Sequence, residues 1–220
     1  MSDKRAGSTY RMKATAIAPS NIAFIKYWGK QDEALRLPLN ASISMNLSSA
    51  YTTTTVEFSH THKKDTVILV DGMFSTPEKI RVREFLDRVR EKSGARDFAR
   101  IVTKNTFPQA TGAAASASGF AALTVAAFAA SGVTLSEKEL TIFARLGSGS
   151  ACRSIPDGFV LWKKGETSDE SYAYSLYPHT YWDLRDILVI VDQEKKKIAT
   201  SEGQNGITTS PFWEYRVEKI

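Results

Sequence analysis

At 220 residues, 42% of them hydrophobic and 24% charged, the chain can bury a substantial core, and its composition excludes a disordered or collagen-like polymer. Its formal net charge of +5 suits an anionic ligand, yet the lysines and arginines are dispersed, and no basic patch interleaved with aromatics marks a nucleic-acid module. A single cysteine, Cys152, rules out an internal disulfide framework, and a polar N-terminus without the apolar core of a signal peptide fits a cytoplasmic protein.

In chain order, Ala14–Ala18 alternates as a strand that Pro19-Ser-Asn21 breaks. Ile22–Lys30 begins apolar and ends in polar tips, which reads as a passage from core to site, or as an edge with snorkelling lysines. Ser42–Leu47, Tyr51–Phe58 and Val67–Val70 follow as strands, with a turn at Asp71-Gly72. His60 and His62, before Lys63-Lys64, read as a solvated hairpin tip because no third metal ligand lies near. Thr76-Pro77 opens a helix with a stripe of Ile80, Phe85, Leu86 and Val89, Gly94 closes it, and Phe98–Val102 returns as a strand.

The next stretch, Phe107–Phe120, is dense in glycine, alanine and serine and runs into the apolar segment Ala121–Ala130. Such a loop turns backbone N–H groups towards one point, and the helix after it adds its positive end, which is how a chain holds phosphate. No lysine lies between Lys104 and Lys138, so this is not a Walker loop, and small residues equally serve close helix packing. The run is uncharged from Asn105 to Ser136, but Pro108, three glycines and many hydroxyls make it small rather than greasy, which argues against a membrane span.

Ser136-Glu-Lys-Glu139 is a capping box for a helix through Leu140, Ile142, Phe143 and Leu146 that Gly147 stops. Ser148–Ser154 then gathers hydroxyls and Arg153, a composition suited to an anion. Gly158–Trp162, Tyr172–Leu176 and Ile187–Val191 read as further strands, and Ser210–Ile220 as a helix just begun, with Phe212, Trp213 and Val217 on one face. The chain breaking off there suggests a fragment or a shortened product. Strands followed by a block of helices predict an α+β fold, helices packed on a mixed or antiparallel sheet.

Three segments together resemble the mevalonate diphosphate decarboxylases of the GHMP kinase superfamily: Asn21–Lys30, Pro108–Leu123 and Ala144–Ser154. The resemblance implies a GHMP-kinase-like N-terminal domain over residues 1–195, the start of a largely missing C-terminal domain over 196–220, and a homodimer. It implies ATP-dependent phosphorylation of the tertiary hydroxyl of mevalonate 5-diphosphate, then loss of phosphate and carbon dioxide, with Mg²⁺ as the metal. Pro108, Gly112, Ser116 and Ser118 would belong to the loop that holds ATP, with Ser116 near Mg²⁺. Asn21 and Lys26 would sit where the substrate hydroxyl meets the γ-phosphate, and Tyr27 and Lys30 at the 5-phosphoryl end. Ser148 and Ser150 would touch the substrate, and Arg153 would pair with its carboxylate. These roles make Asn21, Lys26 and Arg153 the catalytic set.

Departures from the family pattern are visible. Gly112-Ala-Ala-Ala-Ser116 replaces the usual Gly-Leu-Ala-Ser-Ser, Pro156-Asp157 replaces an aromatic-glycine pair, and Thr200–Gly206 only partly follows the Gly-Met-Ser pattern. The family's catalytic aspartate belongs to a C-terminal stretch not present here, and Asp157, Asp183 and Asp192 lack its motif. A 5-monophosphate decarboxylase, a mevalonate 3-kinase and a non-catalytic nucleotide-binding protein therefore stand as alternatives; no partner beyond small molecules, neither nucleic acid nor membrane, is expected.

Overall fold

Residues 13–70, 72–107, 115–187 and 206–219 are described by the computed structural model. Two long strands form its spine. β1 (Lys13–Ile25) pairs antiparallel along β4 (Ser42–Ser59), Lys13–Pro19 against Tyr51–Glu57 and Asn21–Ile25 against Ile43–Asn46. β1 runs past the break expected at Pro19, and β4 joins the two strands expected at Ser42–Leu47 and Tyr51–Phe58 into one. Pro19 does not end β1, because the register shifts between Pro19 and Asn21, and a proline that cannot donate to the ladder is tolerated at such a bulge.

The other face of β4's ladder is shared. β6 (Phe98–Asn105) pairs antiparallel with its C-terminal half, and β7 (Phe159–Trp162) with its N-terminal end. β5 (Thr66–Leu69) lies parallel to β6 and β8 (Ala173–Tyr177) antiparallel to β7, so the sheet is mixed, as expected for an α+β chain. A parallel pair needs a crossover, and α1 (Thr76–Ser93) supplies it between β5 and β6. A small hairpin of β2 (Lys30–Asp32) and β3 (Leu37–Pro38) stands apart.

Three helices cover the sheet. α1 buries Val82, Phe85, Leu86 and Val89, a stripe at i, i+3, i+4 and i+7; Ile80, expected in it, is out of phase and 47% exposed. α2 (Ala115–Ala130) is buried nearly all round, with Ala121 and Ala122 against Ala18 of β1, so its small residues do serve close packing on the sheet. α3 (Glu137–Gly147) starts at the expected capping box, Ser136 accepting from the Glu139 N–H while Glu139 accepts from the Ser136 N–H. Those bonds hold the Glu139 carboxyl below its ordinary range. The main core lies between these helices and Val56, Phe58, Ala99 and Ile101 of the sheet.

The expected C-terminal helix is α4 (Trp213–Lys219), whose Arg216 lies 4.3 Å from the centre of the Trp28 ring. No described helix is long and apolar enough to cross a membrane. The turn residue Asp71, the greater part of the strand expected at Ile187–Val191, the segment Thr200–Asn205 and the domain boundary at 195/196 lie outside the described residues, as does Asp192.

Candidate active site

The bulge in β1 aims Asn21 into the interior, where it is 3% exposed. Its amide group donates to Ser154 Oγ at 2.8 Å and to the Ser150 carbonyl at 3.1 Å, and so anchors the 3-10 turn Gly149–Ser154 that follows α3. The same side chain presents Oδ1 to Arg153, which donates from Nη2 at 3.1 Å and Nε at 3.3 Å. Arg153 Nη1 donates to Ser42 Oγ at 2.6 Å, and the guanidinium lies 5.9 Å from the Tyr27 ring centre and 5.8 Å from that of Trp162. Tyr27 and Trp162 meet edge to face at 4.8 Å.

Arg153 is 4% exposed, and no described carboxylate forms an ion pair with it. A buried cation held by neutral amide, hydroxyl and ring faces lacks the opposite charge that normally offsets its desolvation. Its pKa is accordingly lowered, chiefly by burial. A planar anion would suit a guanidinium so placed.

The loop carrying Tyr27 is held from β4's approach. Asn40, 3% exposed, accepts from the Trp28 N–H at 2.9 Å and donates to the Lys26 carbonyl at 3.1 Å. Gly149 permits the close approach: a Cβ there would stand 3.2 Å from the Tyr27 hydroxyl and 3.2 Å from Trp162. Lys26 projects outward and donates to the Ala23 carbonyl at 3.2 Å. Lys30, its side chain mostly covered, donates to the exposed Glu33 at 2.7 Å.

A second region opens at the start of α2. An open cleft is lined by Thr52, Leu69, Phe74, Arg81, Ser116 and Phe120, among others. Ser116 shares a hydroxyl–hydroxyl hydrogen bond of 3.3 Å with Ser148, the residue at the end of α3, so this cleft and the Arg153 turn meet at that pair. Ser118 is placed differently. Fully buried, its hydroxyl is bonded to Thr52 Oγ1 at 2.6 Å and Ser20 Oγ at 3.3 Å, joining α2 to the sheet. Pro108 and Gly112 lie outside the described residues. The described residues contain no cluster of three His, Cys, Asp or Glu side chains able to hold a metal; Ser116 and Ser148 offer hydroxyl oxygens beside the cleft, which suit a magnesium ion that a nucleotide also holds.

Asp157 and Asp183 are exposed and paired with His179 and Arg185, away from Asn21 and Arg153. Cys152 is fully buried and its thiol is pushed up to about 12, mainly by burial. Iodoacetamide at mild alkaline pH is therefore expected to leave the native protein unlabelled and to label it once unfolded, read by mass spectrometry.

Sequence reasoning missed Asn40, Ser42 and two arginines, and gave Ser154 no role of its own. Ser42 could have been found from the Ser42-Ile-Ser-Met-Asn46 alternation, which puts hydroxyls on the covered face of a strand. Arg36 and Arg81 carry no such signal. Arg36 Nε donates to the Leu146 carbonyl at 3.0 Å and Arg81 Nε to the Gly147 carbonyl at 2.8 Å, so the last carbonyls of α3, which no helical N–H can reach, are capped from two other elements. Gly147 is required for this: a Cβ would fall 2.2 Å from the Phe120 ring. Gly147→Ala is expected to lower unfolding free energy by about 1–3 kcal/mol, measured by urea denaturation.

A mixed sheet under three helices, with the N-terminus of α2 at a cleft and a buried arginine beyond it, makes this an α+β domain with a candidate anion site. A family model described as diphosphomevalonate decarboxylase-like N-terminal domain matches residues 18–173, and the chain belongs to that family. Among curated relatives, the diphosphomevalonate decarboxylase of Aspergillus fumigatus is 38% identical over 94% of this chain and 56% of its own length. A solved structure of MDDEF in complex with MVAPP, AMPPCP and magnesium superposes with a TM-score of 0.83 at 38% identity, covering 94% of this chain and 65% of that one. The mevalonate diphosphate decarboxylase of Staphylococcus aureus superposes with a TM-score of 0.82 at 37% identity, covering 94% and 64%. The chain thus spans a little over half the length of the curated relatives it matches.

Proposed function

We propose that the chain forms the ATP- and substrate-binding part of an enzyme that decarboxylates mevalonate 5-diphosphate at the expense of ATP. The observation that carries this reading is Arg153, a buried guanidinium whose described partners are all neutral. A substrate carboxylate seated there completes the charge balance and is held bidentately.

In this reading the cleft beside Ser116 takes the nucleotide; the similar chain solved with AMPPCP, MVAPP and magnesium supports a nucleotide as a ligand. Magnesium, when bound, neutralises charge on the transferring phosphoryl group, and Ser116 with Ser148 would hold it. The Ser116–Ser148 contact brings the two ligands' reacting ends together, where positioning and electrostatics account for most of the rate. Asn21 orients Arg153 and so the carboxylate; Tyr27 and Trp162 keep water from it. Lys26, exposed on the Tyr27 loop, and Lys30, at the start of β2, would meet the phosphoryl groups. Phosphorylation of the tertiary hydroxyl makes it a leaving group; the bond to the carboxylate carbon then breaks, its electron pair forms the alkene, and phosphate departs. A cytoplasmic location and a homodimer belong to the same reading, supported by the lone cysteine and by the family resemblance.

The test is paired measurement of ADP and carbon dioxide with ATP, Mg²⁺ and either mevalonate 5-diphosphate or the 5-monophosphate. Both products in step with the diphosphate are expected. ADP without carbon dioxide would make the protein a kinase, preference for the monophosphate would change the substrate, and neither product would leave a binding protein.

A further inference from the structure

Arg145 lies in the last turn of α3 and is fully buried. Among the described residues no carboxylate forms an ion pair with it, and burial lowers its pKa. Its guanidinium is held by carbonyls and one hydroxyl: Nε donates to the Leu35 carbonyl at 3.0 Å, Nη1 to the carbonyls of Ser168, at 3.2 Å, and Ser171, and Nη2 to Ser168 Oγ at 2.7 Å. A buried cation on neutral acceptors is costly to desolvate, and these bonds tie α3 to two segments that lie 110 and 23 positions away in the chain.

The first segment is the tip of the β2–β3 hairpin, and the grip on it is reciprocal. Arg36 Nε donates back to the Leu146 carbonyl at 3.0 Å, while Asp32 Oδ1 accepts from the Leu35 N–H at 2.7 Å and shapes the turn. Arg36 has a φ of 52°, the only non-glycine residue with positive φ among those described, and such a conformation persists where the surroundings over-determine it. Gln31 Nε2 also donates to the Gly165 carbonyl at 2.6 Å, so the hairpin is fastened to the second segment as well. That second segment stands behind Arg153: Ser171 Oγ accepts from the Trp162 indole at 3.0 Å, and the Trp162 ring lies 5.8 Å from the Arg153 guanidinium. The hairpin begins with Lys30.

We propose that Arg145 is a positioning residue that sets the spacing between Lys30 on the hairpin and Arg153 on the turn after α3, and so selects a ligand by the distance between its carboxylate and its phosphoryl end. The identity of that two-ended ligand, mevalonate 5-diphosphate, rests on the functional reading; the docking of the hairpin on α3 does not. The 3-10 turn that carries Arg153 follows directly from α3, so both cations are referred to the same last turn of one helix. A ligand that spans both gains affinity from their being fixed relative to each other, whereas one that meets a single cation gains nothing from it.

The experiment compares the 220-residue chain with Arg145→Lys, which keeps the charge but loses the planar fork, and with Arg36→Asn, which accepts the left-handed turn but cannot reach Leu146. Amide hydrogen exchange in the ligand-free protein is expected to rise over residues 30–37 by about tenfold in Arg145→Lys and about threefold in Arg36→Asn, with β4 and β6 unchanged. Ligand titrations are followed by the amide shifts of residues 30–32. Affinity for mevalonate 5-diphosphate is expected to fall by about tenfold and about threefold in the two variants, while affinity for inorganic pyrophosphate, which has no carboxylate, changes less than about twofold in either. Unchanged hairpin exchange, a uniform rise through the sheet, or equal loss for the two ligands would overturn the proposal; if Arg145→Lys does not fold, Arg36→Asn decides by the same criteria. Hairpin exchange that responds as expected in a chain that binds mevalonate 5-diphosphate no more tightly than pyrophosphate would uphold the positioning role and sink the substrate assignment instead.

Discussion

Arg153→Met is expected to abolish carbon dioxide release and to weaken substrate binding by about a hundredfold, roughly 3 kcal/mol, while the protein stays folded. The reason lies in the charge balance of the free protein. Arg153 is buried against Asn21 Oδ1, Ser42 Oγ and two aromatic faces, none of which carries a negative charge. A scaffold arginine of this burial would be expected to sit on a carboxylate, and its removal would strand that partner. Here methionine fills the volume, removes a desolvated cation and leaves only neutral groups behind, so the change in unfolding free energy should stay within about 2 kcal/mol of zero. Calorimetric binding and urea denaturation on the same samples decide it: a collapse of stability with substrate affinity intact would make Arg153 part of the scaffold.

Asn21→Asp is the complementary experiment and nearly isosteric. The introduced carboxylate would face Arg153 at the distances now held by Oδ1, 3.1 and 3.3 Å, and would occupy the anion receptor from within. Substrate affinity should fall by at least about a hundredfold although no bulk has been added. The second oxygen would replace an amide that donates to the Ser150 carbonyl, and that repulsion offsets part of the gain from the ion pair. The guanidinium depresses the pKa of the new carboxylate, so the ion pair contributes stability above the carboxylate's unfolded-state pKa and loses it as pH falls through the folded-state value. Protonation there empties the receptor again. Binding to the variant should therefore recover towards acid pH while the unsubstituted protein shows no such recovery; equal affinities at neutral pH would place the substrate carboxylate elsewhere.

Much of the helical part was legible in the chain. The capping box at Ser136, proline after Thr76 and Gly94 at its close gave α1 and α3 to within a residue or two, because those signals are local backbone chemistry. The strands were located but miscounted. Pro19 reads as a breaker in isolation, yet β4 offers a ladder on either side of a register shift, and long-range pairing keeps the strand going. Ile80 was placed in the α1 stripe by its apolarity alone, whereas Val82 is in phase with the face that α2 covers.

At the site, residue types by themselves only suggested an anion: Arg153 among serines suits one, while the small-residue run before a helix serves close packing equally well. The family resemblance extended that to named roles. Only the tertiary structure decided that Arg153 has no acidic partner among the described residues, that Ser118 spends its hydroxyl on Thr52 and Ser20, and that Ser116 meets Ser148. It also brought Asn40, Ser42, Arg36 and Arg81 to the site from segments without a motif. The physical reason is range. Caps, turns and periodicity are set by neighbours in the chain and are therefore written in it. Whether a buried charge is balanced depends on groups here separated by 111 and 132 positions, and only the packed fold brings those together.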